Sequence, residues 1–126
     1  MKIRIKSNTV RIRLTRSEVE RFAQEGYIEA STPFVSNVFT YALQVRPDEY
    51  GHELSADFKD NVITMYMPAR MAKEWVTTEK VGFDTWMDVD NGEKLYLLLE
   101  KDFKCLDETV EDQSDNFENP LAYKHN

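Results

Sequence analysis

One cysteine, two histidines, four glycines and four prolines among 126 residues put several kinds of chemistry out of reach. Cys105 has no second cysteine for an internal disulfide, which points to a reducing compartment. A nucleophilic thiol needs a neighbouring base, yet His52 falls in a loop and His125 near the end of the sequence. Cys105 therefore reads as a small buried hydrophobe. These residues are also too few and too scattered for zinc at ordinary ligand spacing. The glycines are dispersed, so there is no glycine-rich phosphate loop. No run approaches the roughly 18 apolar residues that a membrane span requires. Met1 to Lys6 alternates apolar and basic residues instead of carrying the apolar core of a signal peptide. Together these absences predict a cytoplasmic protein without cofactor, metal or membrane association.

What is present describes a packed domain. Apolar residues make up 41% and charged residues 31%, enough apolar area to offset the ordering entropy of a folded chain. The length fits one domain over residues 1–126. The net charge of −7 opposes nonspecific attraction to nucleic acid, but it averages over a gradient. Residues 1–16 carry Lys2, Arg4, Lys6, Arg11, Arg13 and Arg16 and no acid. Residues 100–118 carry Glu100, Asp102, Asp107, Glu108, Glu111, Asp112, Asp115 and Glu118 against Lys101 and Lys104.

Apolar and basic residues alternate at Met1, Ile3, Ile5 and again at Val10, Ile12, Leu14, which predicts a hairpin turning at Ser7-Asn8. Thr15 and Glu18 form a capping-box pattern ahead of Val19, Phe22 and Ala23 at helical spacing, with Gly26 as the stop. A short strand at Tyr27-Ile28-Glu29, broken by Pro33, and a longer one over Val38–Val45 complete the first unit. The second unit repeats the plan. Leu54, Ala56 and Phe58 make one strand and Ile63, Met65 and Met67 the return, around a Lys59-Asp60-Asn61 turn. Pro68 suits the first position of a helix whose apolar face is Met71, Ala72 and Trp75. Val81–Val89 and Lys94–Leu99 flank Asn91-Gly92, a strong hairpin signal.

The two units overlay at a constant offset of 53, Ile5 on Phe58, Ile12 on Met65, Leu14 on Met67 and Phe22 on Trp75. The expected fold is α+β and β-rich. Two pseudo-repeated ββαββ halves, 1–45 and 54–99, form one antiparallel barrel or sandwich with two short helices, followed by an irregular acidic segment over 102–126.

The sharpest candidate site is the basic hairpin. Lys2, Arg4 and Lys6 share one strand face, and Arg11 and Arg13 share one face of the next. Five cations on one paired surface could track phosphates. They equally suit a solvated face neutralised by an anion, because like charges opposed across strands are destabilising; the acidic C-terminal segment is the nearest source. Asp88 to Glu93 superficially suggests a calcium loop, but with Asp88 at position one Gly92 falls at five and Leu99 at twelve, and the hairpin turn explains it better. Trp75, Trp86, Tyr41 and Tyr96 are read as core, not as a platform for stacking bases.

Val62-Ile63-Thr64-Met65-Tyr66-Met67-Pro68-Ala69, followed by Met71-Ala72-Lys73-Glu74-Trp75, resembles the strand-to-helix junction of swapped-hairpin DNA-binding domains of the AbrB and MazE type. Thr15 takes the proline position in the first half. The resemblance implies an interlocked barrel with DNA contacts from Lys2, Arg4, Arg11 and Arg13; the second half offers Ser55, Asp57 and Thr64 at matching positions, so the basic surface is one-sided. Over nearly its full length the chain also resembles a family of short uncharacterised bacterial proteins. That likeness rests on Met1-Lys2-Ile3-Arg4-Ile5-Lys6, on Phe39-Thr40-Tyr41-Ala42-Leu43, and on Glu100-Lys101-Asp102-Phe103-Lys104-Cys105-Leu106-Asp107, and it implies no activity.

Three uses follow. The first is a non-enzymatic interaction or self-assembly domain with a protein partner or a second copy. The second is a DNA-binding regulator of swapped-hairpin type. The third is a small-ligand binder or enzyme with a site between the repeats.

Overall fold

Alternation of apolar and charged side chains drives both halves into hairpins, and the computed structural model of the chain describes residues 1–103. Lys2–Lys6 (β1) pairs antiparallel with Thr9–Leu14 (β2), which turns Val10, Ile12 and Leu14 inward and Thr9, Arg11 and Arg13 outward. Arg16–Glu25 (α1) follows. Its start is closed by Glu18, whose Oε1 accepts the backbone N–H of Thr15 at 2.8 Å and the Thr15 hydroxyl at 3.0 Å. Its Oε2 meets the ammonium of Met1. Partial burial pushes the Glu18 carboxyl up, but the hydrogen bonds from that ammonium and from Thr15 outweigh it and hold the pKa below the ordinary value. Gly26 ends the helix in the left-handed region, at φ 69°, and its N–H reaches the Phe22 carbonyl at 2.8 Å.

Tyr27–Pro33 (β3) and Val38–Arg46 (β4) form the next hairpin. β3 extends further than expected, because Pro33 sits at the strand's last position, where a missing N–H is tolerated. After a 3-10 turn at Asp48–Tyr50, Ser55–Lys59 (β5) and Val62–Pro68 (β6) pair and lead into Ala69–Thr77 (α2). Pro68 caps this helix from just outside it, with extended ψ, and does not form its first turn. Gly82–Asp88 (β7) and Lys94–Lys101 (β8) close the series. Between them Asn91 and Gly92 both adopt positive φ, 65° and 74°, as the Asn-Gly signal requires.

The eight strands make two sheets, in the orders β1-β2-β8-β7 and β3-β4-β6-β5. Each sheet takes one hairpin from each half of the chain, so the halves exchange hairpins about a pseudo-twofold. Pairing within each hairpin is antiparallel as expected. Pairing between hairpins is not: β2 runs parallel to β8 and β4 parallel to β6. Among the described residues no strand of one sheet pairs with a strand of the other, so the arrangement is two mixed sheets and no hydrogen-bonded barrel is formed.

Inward-facing Ile12, Leu14, Leu43, Met65, Met67, Leu97 and Leu99 are wholly buried with Phe22 of α1 and Trp75 of α2. The two aromatics meet edge to face with centroids 6.1 Å apart, and Trp75 Nε1 donates to the Val81 carbonyl at 2.9 Å. They are also equivalent in the repeat, so the seam between the halves is filled by its own matched pair. The offset of 53 holds through β1, β2 and α1 against β5, β6 and α2. It grows to 55 after the helix, where Tyr27 opposite Gln44 matches Gly82 opposite Glu100, and to 56 in the last strands. Not every expected apolar position is covered: Ile5 and Phe58, equivalent residues near the two hairpin turns, stay exposed, as does Ala23 of α1.

Candidate functional site: a basic sheet face

Strand register assembles the predicted cations into one surface. Lys2 stands opposite Arg13, Arg4 opposite Arg11 and Lys6 opposite Thr9, all on the outward side of the β1–β2 hairpin. β8 continues these rows with Glu100, Leu98 and Tyr96, and β7 with Gly82, Asp84 and Trp86. Arg4, Lys6, Thr9, Arg11 and Leu98 line a shallow hollow on this face.

The anion expected beside the basic hairpin is present in part. Glu100 Oε1 lies 3.2 Å from Arg13 Nε and 3.7 Å from Arg11 Nε, so one carboxylate serves two guanidiniums. Asp102 pairs with Lys2 at 3.1 Å. Among the described residues no carboxylate pairs with Arg4 or Lys6. Arg4 therefore faces Arg11 across the ladder without a carboxylate beside it among the described residues.

At the other end of the face Trp86 and Tyr96 lie against each other, centroids 4.9 Å apart and rings inclined at 43°. Trp86 is 56% exposed, which overturns its reading as a core residue. The reason is the strand period: Trp86 falls on the same side of β7 as Asp84 and Asp88, and that side faces solvent. Its phase with those two aspartates was the signal for this, and tryptophan's usual preference for the interior obscured it. The Tyr96 hydroxyl donates to Asp84, whose carboxylate pushes the phenol above its ordinary pKa. Trp75 is core as expected; Tyr41 is half-buried, its hydroxyl donating to the Met1 carbonyl at 2.9 Å.

The equivalent face of the second sheet is chemically different. Ser55, Asp57 and Lys59 replace the basic residues of β1, and Thr64 and Tyr66 those of β2. Arg46 lies 3.7 Å above the Tyr66 ring, and Ser31 and Thr40 share a 2.9 Å hydrogen bond where the first sheet has Trp86 and Tyr96. The Tyr27 phenol there is pushed up by partial burial and by its hydrogen bond to Glu29.

The remaining candidates do not join this site. Asp88 binds Lys94 at 2.8 Å across the Asn91-Gly92 turn, and among the described residues no group of acids, histidines or cysteines could hold a metal. His52 is exposed in the loop before β5. Cys105, His125 and the acids from Asp107 to Glu118 lie outside the described residues. No helix among the described residues is long and apolar enough to cross a membrane. No curated protein and no solved structure matches the chain. A family model does match, over residues 1–121, and by it the chain belongs to a family of unknown function, DUF7009.

Proposed function

We propose that the protein is a non-enzymatic binding module that meets an anionic partner on the outer face of the β1-β2-β8-β7 sheet. One observation carries this: Arg4 and Lys6 lack a carboxylate among the described residues, while Arg4 is held directly opposite Arg11. Opposed like charges on a ladder cost stability, and an incoming anion relieves that cost. A protein partner or a second copy would dock through acidic side chains; a nucleic acid would dock through phosphate.

Heparin, as a generic polyanion, tests the reading. Titrated in a salt series, it should bind the full chain with an affinity that falls as salt rises, and Arg4→Glu with Arg11→Glu should remove the binding. Affinity indifferent to salt, or unchanged by the double reversal, would sink it.

A second reading, a DNA-binding regulator of swapped-hairpin type, is favoured by the exchange of hairpins between the two halves. In that case duplex DNA would replace heparin as the tight ligand. The basic surface would act alone, without the symmetric counterpart that such domains present.

A further inference from the structure

We propose that this face binds single-stranded nucleic acid, with an unpaired base stacked on Trp86 and the cations of β1 and β2 holding the flanking phosphates. The proposal rests on the reading that the face meets an anion and names the chemistry of that anion.

The layout supports it. Lys6, Thr9, Tyr96 and Trp86 lie in one row across the four strands, with Arg4, Arg11, Leu98 and Asp84 in the next. At the usual strand spacing, β1 and β7 are about 14 Å apart, a distance that a short run of nucleotides covers. Trp86 rests one side of its ring against Tyr96 and leaves more than half its surface to solvent. Tyr96 is in turn tethered through its hydroxyl to Asp84. The aromatic pair is thus braced before any ligand arrives, which limits the ordering cost of stacking.

Each described carboxylate on the face is already engaged: Asp84 by Tyr96, Asp88 by Lys94, Glu100 by Arg11 and Arg13, and Asp102 by Lys2. The cations without such a partner among the described residues, Arg4 and Lys6, line the hollow together with Arg11. The face is thereby polarised, cationic at β1 and aromatic at β7. A duplex would use the cations, but its paired bases cannot lie flat on a sheet. An acidic peptide would use the cations and leave Trp86 idle. Unpaired bases use both.

The test is fluorescence anisotropy of a labelled oligothymidylate of about fifteen nucleotides, beside a duplex of the same length and a labelled polyglutamate, over a salt series. The single strand should bind tightest, with a log–log salt slope of about −2, as for three phosphates at roughly 0.7 each. Trp86→Ala should weaken it by about tenfold or more, the scale of one lost base stack, and Trp86→Phe should restore most of it. Arg4→Glu should flatten the slope. Thermal denaturation of the Trp86 variants should match the parent, since that side chain is exposed, and Arg4→Glu should not lower the midpoint, since it removes a like-charge pair. Equal or tighter binding of duplex or polyglutamate, or a Trp86→Ala protein that binds like the parent, overturns the single-strand proposal and leaves the anionic face standing. If neither these probes nor heparin binds at low salt, both fall.

Discussion

Arg4, Arg11 and Glu100 stand on the outer face of the first sheet where Asp57, Thr64 and Gln44 stand on the second, and Trp86 stands where the second has Ser31. The inner faces show no such divergence. Ile12 answers to Met65, Leu14 to Met67 and Leu99 to Leu43, all buried. Side-chain chemistry is fixed mainly where a strand packs against the other half; apart from Gly82, where the backbone of β8 leaves no room for a Cβ, the outward positions accept polar chemistry. Specialisation of one outer face therefore costs the fold little. That is why the contrast between the faces, and not the repeat itself, points to function.

The widest test of this comparison is to damage what both faces share. Trp75→Ala should cost about 3–5 kcal/mol in chemical denaturation, whereas Trp86→Ala should stay within about 0.5 kcal/mol. Comparable losses would mean that the outer face is structural after all.

Next comes a pair of equivalent positions with opposite tolerance. A Cβ at Gly82 would come within 1.9 Å of the Leu99 carbonyl oxygen, so Gly82→Ala should destabilise by about 2–3 kcal/mol. Tyr27→Ala, at the matching place on the second sheet, should cost about 0.5 kcal/mol or less. A tolerated Gly82→Ala would show that β7 can lift away from β8.

The third test is electrostatic. Glu100→Gln strips the shared partner from Arg11 and Arg13 and should lower stability by about 1 kcal/mol at low salt, with the loss shrinking as salt screens the exposed cations. Gln44→Ala should show no salt-dependent change.

The smallest effect separates the helix starts. α1 is closed by Glu18, whereas the backbone N–H of Arg70 in α2 is met by Asp48 from the preceding 3-10 turn, at 3.0 Å. Glu18→Gln should cost about 0.5–1 kcal/mol at neutral pH, the scale of a helix cap. Because the folded pKa of Glu18 is depressed, its stabilisation is complete above the unfolded pKa and lost as pH falls through the lower folded value. Parent and variant should therefore converge in acid, as read from denaturation midpoints against pH.

Local features were legible in the sequence and nonlocal ones were not. The hairpins, the capping box and the Asn91-Gly92 turn follow from neighbours a few residues apart, and each formed. The parallel pairing of β2 with β8 left no trace, since nothing in either strand names its partner 87 residues away. The cations of the candidate site were found because they alternate within one hairpin. Glu100, Trp86 and Tyr96 reach the same face only through the sheet order, and so the aromatic half of the site was assigned to the core.

The exchange of hairpins also dictates a schedule. The strand that β2 pairs with across the sheet is β8, the last strand of the described fold, so the first hairpin's sheet cannot form until a strand 87 residues further along the chain is in place. The loop entropy of so distant a pairing must be met before any contact rewards it, which places this small protein among slow folders despite its locally strong patterns. Neither half can mature ahead of the other. Until β8 arrives, the apolar side of the first hairpin has no settled cover and stays open to capture by chaperones or by other unfinished chains.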